Sequence, residues 1–259
     1  MPIIKNRIPD KGSVENMMQR LQSYIEPVDP EWVKNLKPAS EESIKKWKKV
    51  LALEEKNLDF PSSYLEFLRY AGEGDGGLFE ETLNAKMSLE SQLSYYRSVD
   101  TNENDIAHPY CFDFMATTDL NLSYSINLGK ENEKIFCDMS VEVSNCFENL
   151  LFQCAIERYE KYYFSSCEMI RPGKKFANFD YSKQGRDLFR VIDRIAKING
   201  LCRAWFSDDS IYFAYSDEMS IFIDSRDYGG LGMIFYDKKE KVENIRKNLL
   251  SDINATIYQ

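Results

Sequence analysis

The run Phe60-Pro61-Ser62-Ser63-Tyr64-Leu65-Glu66-Phe67-Leu68-Arg69-Tyr70-Ala71-Gly72 commits the chain to a short helix with one buried face. Pro61 sets φ where a first helical turn needs it and lacks an N–H that would be orphaned there, and Ser62 or Ser63 can cap that turn. Tyr64, Phe67, Leu68 and Ala71 recur at i, i+3, i+4 and i+7, which puts the large apolar side chains on one stripe. Gly72 is expected to supply the left-handed residue that ends the helix. Beyond it, Glu73-Gly74-Asp75-Gly76-Gly77 reads as an exposed negative loop, too glycine-rich for regular structure and too acidic to hold an anion. A helix this short cannot bury its own stripe, so other elements must pack on it.

The neighbouring segments supply them. Residues 1–37 read as a polar arm laid on the fold, with a helix from Ser13 to about Tyr24 ended by Pro27 and Pro30. Ser40 followed by Glu41 and Glu42 is a helix start, and Ile44, Trp47 and Leu51 carry that helix toward Glu55. Ser88 to Val99 repeats the pattern with Leu89, Leu93 and Tyr96. The period then falls to two. Phe112–Ala116, Leu122–Leu128 and Lys134–Met139 predict an antiparallel meander, to be covered by a helix bearing Phe147, Leu150, Leu151, Cys154 and Ile156.

Ile170-Arg171-Pro172-Gly173-Lys174-Lys175 reads as a hinge. After it come a helix with Leu188, Val191, Ile192 and Ile195, strands over Leu201–Phe206, Ile211–Tyr215, Ser220–Asp224 and Leu231–Tyr236, and a last helix with Val242, Ile245 and Leu249. The reading is an α+β protein with an arm over 1–37, a domain over 38–170 and a small α-β-β-β-β-α domain over 171–259.

Charge narrows the function. The net charge is −9, and residues 70–120 alone carry 2 Lys/Arg against 10 Asp/Glu. Nucleic acid and anionic membranes are poor partners for such a chain. There is no signal-type apolar run at the start and no apolar stretch long enough to span a bilayer, so the expected compartment is the cytoplasm. Six cysteines without a C-x-x-C pair read as reduced thiols, with no zinc site and no disulfide framework.

Residues 40–160 resemble the SUKH superfamily, the Smi/Knr-like proteins. The matching residues are Phe60-Pro61-Ser62-Ser63-Tyr64-Leu65-Glu66-Phe67-Leu68, with Phe60 where an aliphatic residue is usual, then Gly76-Gly77 and Phe147-Glu148-Asn149-Leu150-Leu151. No family pattern is evident over 171–259. The resemblance implies a SUKH-like antiparallel sheet with packed helices and a binding function. Most bacterial members look like immunity proteins that neutralise a cognate toxin, fungal relatives are regulatory, and no shared catalytic residues carry over.

Catalytic and metal chemistry find little support in the residues. His108 is the single histidine and stands before Pro109 after an acidic loop, which suits a turn. Gly72–Gly77 follows a helix and has no lysine, unlike a phosphate cradle. Asp100, Asn102 and Asn104 match a calcium loop until Asp105 and Cys111 stand where glycine and glutamate are needed. Asp208 with Asp209, and Asp217 with Glu218, read as solvated turn residues. No enzyme, cofactor or metal is expected. Glu73, Asp75, Glu80, Glu81, Asp100, Glu103 and Asp105 instead suggest one negative face that steers a basic protein partner, with Tyr95, Tyr96 and Tyr110 as contact rings. The expected function is an immunity protein that blocks a toxin, a nuclease for instance, and the alternative is a non-catalytic regulatory or scaffold protein.

Overall fold

A computed structural model of the chain describes residues 7–12, 15–98, 110–117, 122–129, 133–138, 141–173, 181–226 and 231–258, with backbone alone for Tyr95, Arg97, Ser98 and residues 181–186. The fold is α+β, with antiparallel sheets and eight α-helices among the described residues. It divides into two compact units, Ser13–Arg158 and a second that joins Met1–Gly12 to Tyr159–Gln259.

In the first unit, helix α1 (Met17–Ile25) starts with a capping box, in which Asn16 and Gln19 each bond the other's backbone N–H. It buries Met17, Met18, Leu21, Tyr24 and Ile25, and Met18 N donates to Glu66 at 2.7 Å. From Ser13 onward the expected arm is therefore part of this unit, with its helix in the core. Its continuation, β1 (Leu36–Lys37), pairs antiparallel with β2 (Gly74–Asp75). This corrects the reading of Glu73–Gly77 as an irregular exposed loop.

Helix α2 (Glu41–Val50) is capped by Ser40, which accepts from Ser43 N at 3.0 Å. It stops short of Glu55 because the chain turns through left-handed Ala52 (φ 52°) and Asn57 (φ 53°). Helix α3 (Ser62–Ala71) buries Tyr64, Phe67, Leu68 and Ala71, the stripe its spacing predicts, although no serine caps it. Gly72 is right-handed, with φ −65°. Glycine is needed there for closeness, since a Cβ would lie 2.6 Å from Leu68 O and 2.7 Å from Ala39 Cβ. The left-handed residues are Gly76 and Gly77, which lead into α4 (Leu78–Leu83).

Strand β3 (Ala85–Lys86), helix α5 (Leu89–Ser98) and strands β4 (Cys111–Thr117), β5 (Ser123–Asn127), β6 (Ile135–Cys137) and β7 (Val141–Ser144) follow. The sheet runs β3-β4-β5-β6-β7, so the predicted three-strand meander gains a strand at each edge. Helix α6 (Phe147–Tyr159) is buried on every side from Asn149 to Ile156, taking the polar Asn149 and Gln153 inside with its apolar residues. Its first residue carries the centre of the core: the Phe147 ring lies 5.0 Å from Tyr64, 5.2 Å from Phe67 and 5.5 Å from Phe114, edge-on in each case. Each such contact adds about 0.5–1.5 kcal/mol beyond the burial itself.

The second unit begins with β8 (Ser166–Arg171), then α7 (Tyr181–Ile198), β9 (Cys202–Arg203), β10 (Ile211–Tyr215), β11 (Met219–Asp224), β12 (Leu231–Tyr236), α8 (Lys239–Ile253) and β13 (Thr256–Tyr258). Its antiparallel sheet runs β13-β8-β12-β11-β10-β9. Because β8 pairs with both β12 and β13, Ile170 and Arg171 lie inside this unit, and the division falls between Arg158 and Tyr159 instead of at 170/171. Tyr212, Ala214, Ile221, Ile223 and Ile234 alternate toward Leu188, Ile192, Ile195, Val242, Ile245 and Leu249, so both helices sit on one face. Residues 7–12 join this unit through Arg7, whose guanidinium reaches Glu160 at 2.6 Å and Ser216 O at 2.7 Å and lies 4.8 Å from the Phe164 ring centre.

Candidate protein-binding surface

The acidic residues that share a stretch of sequence do not share a role. Asp75 is buried, and its two oxygens accept from Gly77 N at 2.9 Å and Phe79 N at 2.8 Å, closing the start of α4. Burial pushes its carboxyl above the ordinary range, while the N–H groups of Phe79 and Gly77 pull it down part of the way. Asp75 therefore cannot belong to an exposed negative face, which corrects that expectation. Glu73 is half-buried and accepts from Ser88 Oγ at 3.0 Å and Glu90 N at 3.2 Å, serving the first turn of α5.

Glu80 and Glu81 are exposed and reach Lys86 at 3.0 Å and Arg158 at 2.8 Å. The Glu80–Lys86 pair is exposed on both sides and worth only about 0–1 kcal/mol, so Glu80 stays available to a partner, whereas Glu81 pairs with the largely buried Arg158 and keeps its own carboxylate exposed. Glu90 is exposed as well. Tyr96 accepts from Asp113 N at 2.9 Å and packs edge-on against Trp47 with ring centres 5.0 Å apart, so it ties α5 to α2 and β4. Tyr110 is 52% exposed. Asp100, Glu103, Asp105, His108 and the side chain of Tyr95 lie outside the described residues.

Beside the first turns of α5 lies a cavity of about 460 Å³. Ser91 and Gln92 come from α5; Asp113, Met115 and Thr117 from β4; Ser123 from β5. The register shifts between Asp113 and Met115, a bulge that re-aims the strand at the cavity. Thr117 closes the hairpin, its N–H donating to Leu122 O at 2.8 Å and its Oγ1 accepting from Leu122 N at 3.0 Å. Asp113 Oδ1 is buried without a hydrogen-bond partner. Burial drives its carboxyl up, with a smaller push from the Asp138 charge, and the nearby Ser123 hydroxyl offsets part of that.

Sequence reasoning passed over Asp113 and Gln92. The only signal was a carboxylate between Phe112 and Phe114 and an amide beside Leu93, which periodicity alone assigns to solvent-facing positions.

The other buried charges have partners within their own units. Arg20 bonds Glu148 in the first unit, and in the second Glu168 accepts from Tyr236 Oη at 2.6 Å and Arg246 Nε at 2.8 Å. Among the described residues no three His, Cys, Asp or Glu side chains are grouped to hold a metal, and no helix is long and apolar enough to cross a membrane. Compared with known proteins, the chain matches no family model, no curated protein and no solved structure.

Proposed function

We propose that the chain is a binding protein of the immunity type, which neutralises a basic protein toxin by covering its active or substrate-binding surface through the first unit. The observation that carries this reading is the contrast within the acidic segment. Asp75 and Glu73 are consumed by helix starts, whereas Glu80, Glu81 and Glu90 keep exposed carboxylates on the consecutive helices α4 and α5. Exposed carboxylates attract a basic partner over roughly a Debye length, about 8–10 Å in ordinary salt. The resemblance of residues 40–160 to SUKH proteins points the same way.

Growth rescue tests this. Co-expression with a toxin domain encoded beside the gene should restore growth, and Glu80→Lys, Glu81→Lys and Glu90→Lys together should abolish the rescue while the chain stays folded. Rescue untouched by the reversals removes the first unit's acidic surface as the interface.

One observation favours a regulatory or scaffold protein instead. In the second unit Met169 (45% exposed) and Tyr258 (47% exposed) are cross-strand neighbours on β8 and β13 and form a small apolar patch. That reading requires partners to be lost when Met169→Lys and Tyr258→Lys are introduced, with the acidic surface intact.

A further inference from the structure

We propose that the cavity between α5 and the β4–β5 hairpin is a receptor site for one organic cation, an ammonium or guanidinium group held between Asp113 and Gln92. The inference does not depend on the toxin reading, because it follows from the polar groups that the fold leaves unmatched.

Asp113 Oδ1 is buried with no donor. Gln92 is only 8% exposed and lines the same cavity, and among the described residues nothing bonds to its carboxamide. Ser125, which pairs across from Asp113 in the register, also has a buried hydroxyl without a partner. Buried polar atoms are almost always satisfied, so an unpartnered carboxylate oxygen and an unbonded carboxamide on the lining of one cavity point to a group supplied from outside; Ser125 itself does not line it. Among the described residues no lysine or arginine lines the cavity.

The chemistry selects the ligand class. An anion would meet Asp113 and the charge of Asp138. A purely apolar group would leave the carboxylate and the carboxamide unpaired, which is unfavourable away from water. A cation that donates hydrogen bonds satisfies both, since Asp113 supplies charge and Gln92 a carbonyl acceptor. Met115, Ala116 and Leu122 offer apolar wall for the methylene stem that carries such a group. The cavity volume of about 460 Å³ lies within the range of about 300–1,000 Å³ usual for small-ligand sites.

Such a group arrives either on a free small amine or on an arginine or lysine of a bound protein. NMR titration of the full-length, nitrogen-15-labelled chain with agmatine, spermidine and N-acetyl-arginine amide separates the two. Saturable shifts are expected at the Gln92 side-chain amide and the Asp113 and Ser123 backbone amides, with Kd about 1 mM or tighter. Asp113→Asn should weaken binding by about tenfold or more, the loss of a charge-assisted bond, while Glu240→Gln on the surface of α8 should not change it. Much tighter binding of agmatine or spermidine than of the capped arginine identifies a free amine, and equal millimolar affinities identify a presented side chain. Should Asp113→Asn fail to fold, Gln92→Leu replaces it with the same expected loss. Absence of saturable shifts at these residues, or binding indifferent to the substitutions, overturns the proposal.

Discussion

Asp75 shows how one carboxylate can look like a surface charge in sequence and act as a bracket in structure. A buried N–H of Phe79 and a half-buried N–H of Gly77 depend on it, so Asp75→Ala should cost about 1–3 kcal/mol, the price of leaving them unsatisfied. Asp75→Asn keeps one acceptor and should cost less; denaturant unfolding distinguishes the two. The pH dependence has a defined sign. Burial holds the native carboxyls of Asp75 and Asp113 above their ordinary value of 3.8, so the native state binds their protons more tightly than the unfolded chain. Their contribution is fully favourable below 3.8 and is lost as pH rises through the higher native values. The deficit of Asp75→Asn relative to the parent should therefore shrink between about pH 4 and about pH 7. A deficit that grows over that interval would show the backbone N–H bonds outweighing burial.

At the scale of elements, legibility followed periodicity. The stripe Tyr64, Phe67, Leu68, Ala71 was readable because a helix of one buried face leaves a 3.6-residue signature, and β10, β11 and β12 were readable from short apolar runs between turns. What stayed hidden was pairing over distance. β1 with β2 and β13 with β8 are two- and three-residue ladders whose partners lie far apart in sequence, and no local pattern encodes them. The cavity was hidden for the same reason, since Gln92 and Asp113 meet only once α5 lies beside the bulge of β4. The sequence suggests a left-handed Gly72, but its backbone is right-handed and glycine is needed there because Ala39 and the Leu68 carbonyl press on it. Gly72→Ala should accordingly destabilise by about 1–3 kcal/mol, as overpacking does, even though alanine suits its right-handed backbone. A neutral or stabilising effect in thermal unfolding would mean that the Ala39 segment gives way freely. Phe147→Ala, which empties the centre of the aromatic cluster, should cost more, about 3–5 kcal/mol.

For the whole molecule, the chain's first residues are the unexpected component, because residues 7–12 belong with residues 159–259. Arg7 and Glu160 form a buried pair among aromatic rings, so Arg7→Met strips Glu160 of that charge partner and should cost about 3–5 kcal/mol. Hydrogen exchange should report that loss in β10 and β11 of the second unit, with β4 and β5 of the first unit left protected. Function belongs to this scale too, since the proposed surface would steer a basic partner onto the first unit. Its most direct test is the association rate of the purified chain with the toxin domain it is proposed to neutralise, followed from about 50 to about 500 mM salt with and without the Glu80, Glu81 and Glu90 reversals. The account predicts an association rate that falls steeply with salt and falls further with the reversals, while dissociation changes little. A rate indifferent to both salt and reversal would contradict it.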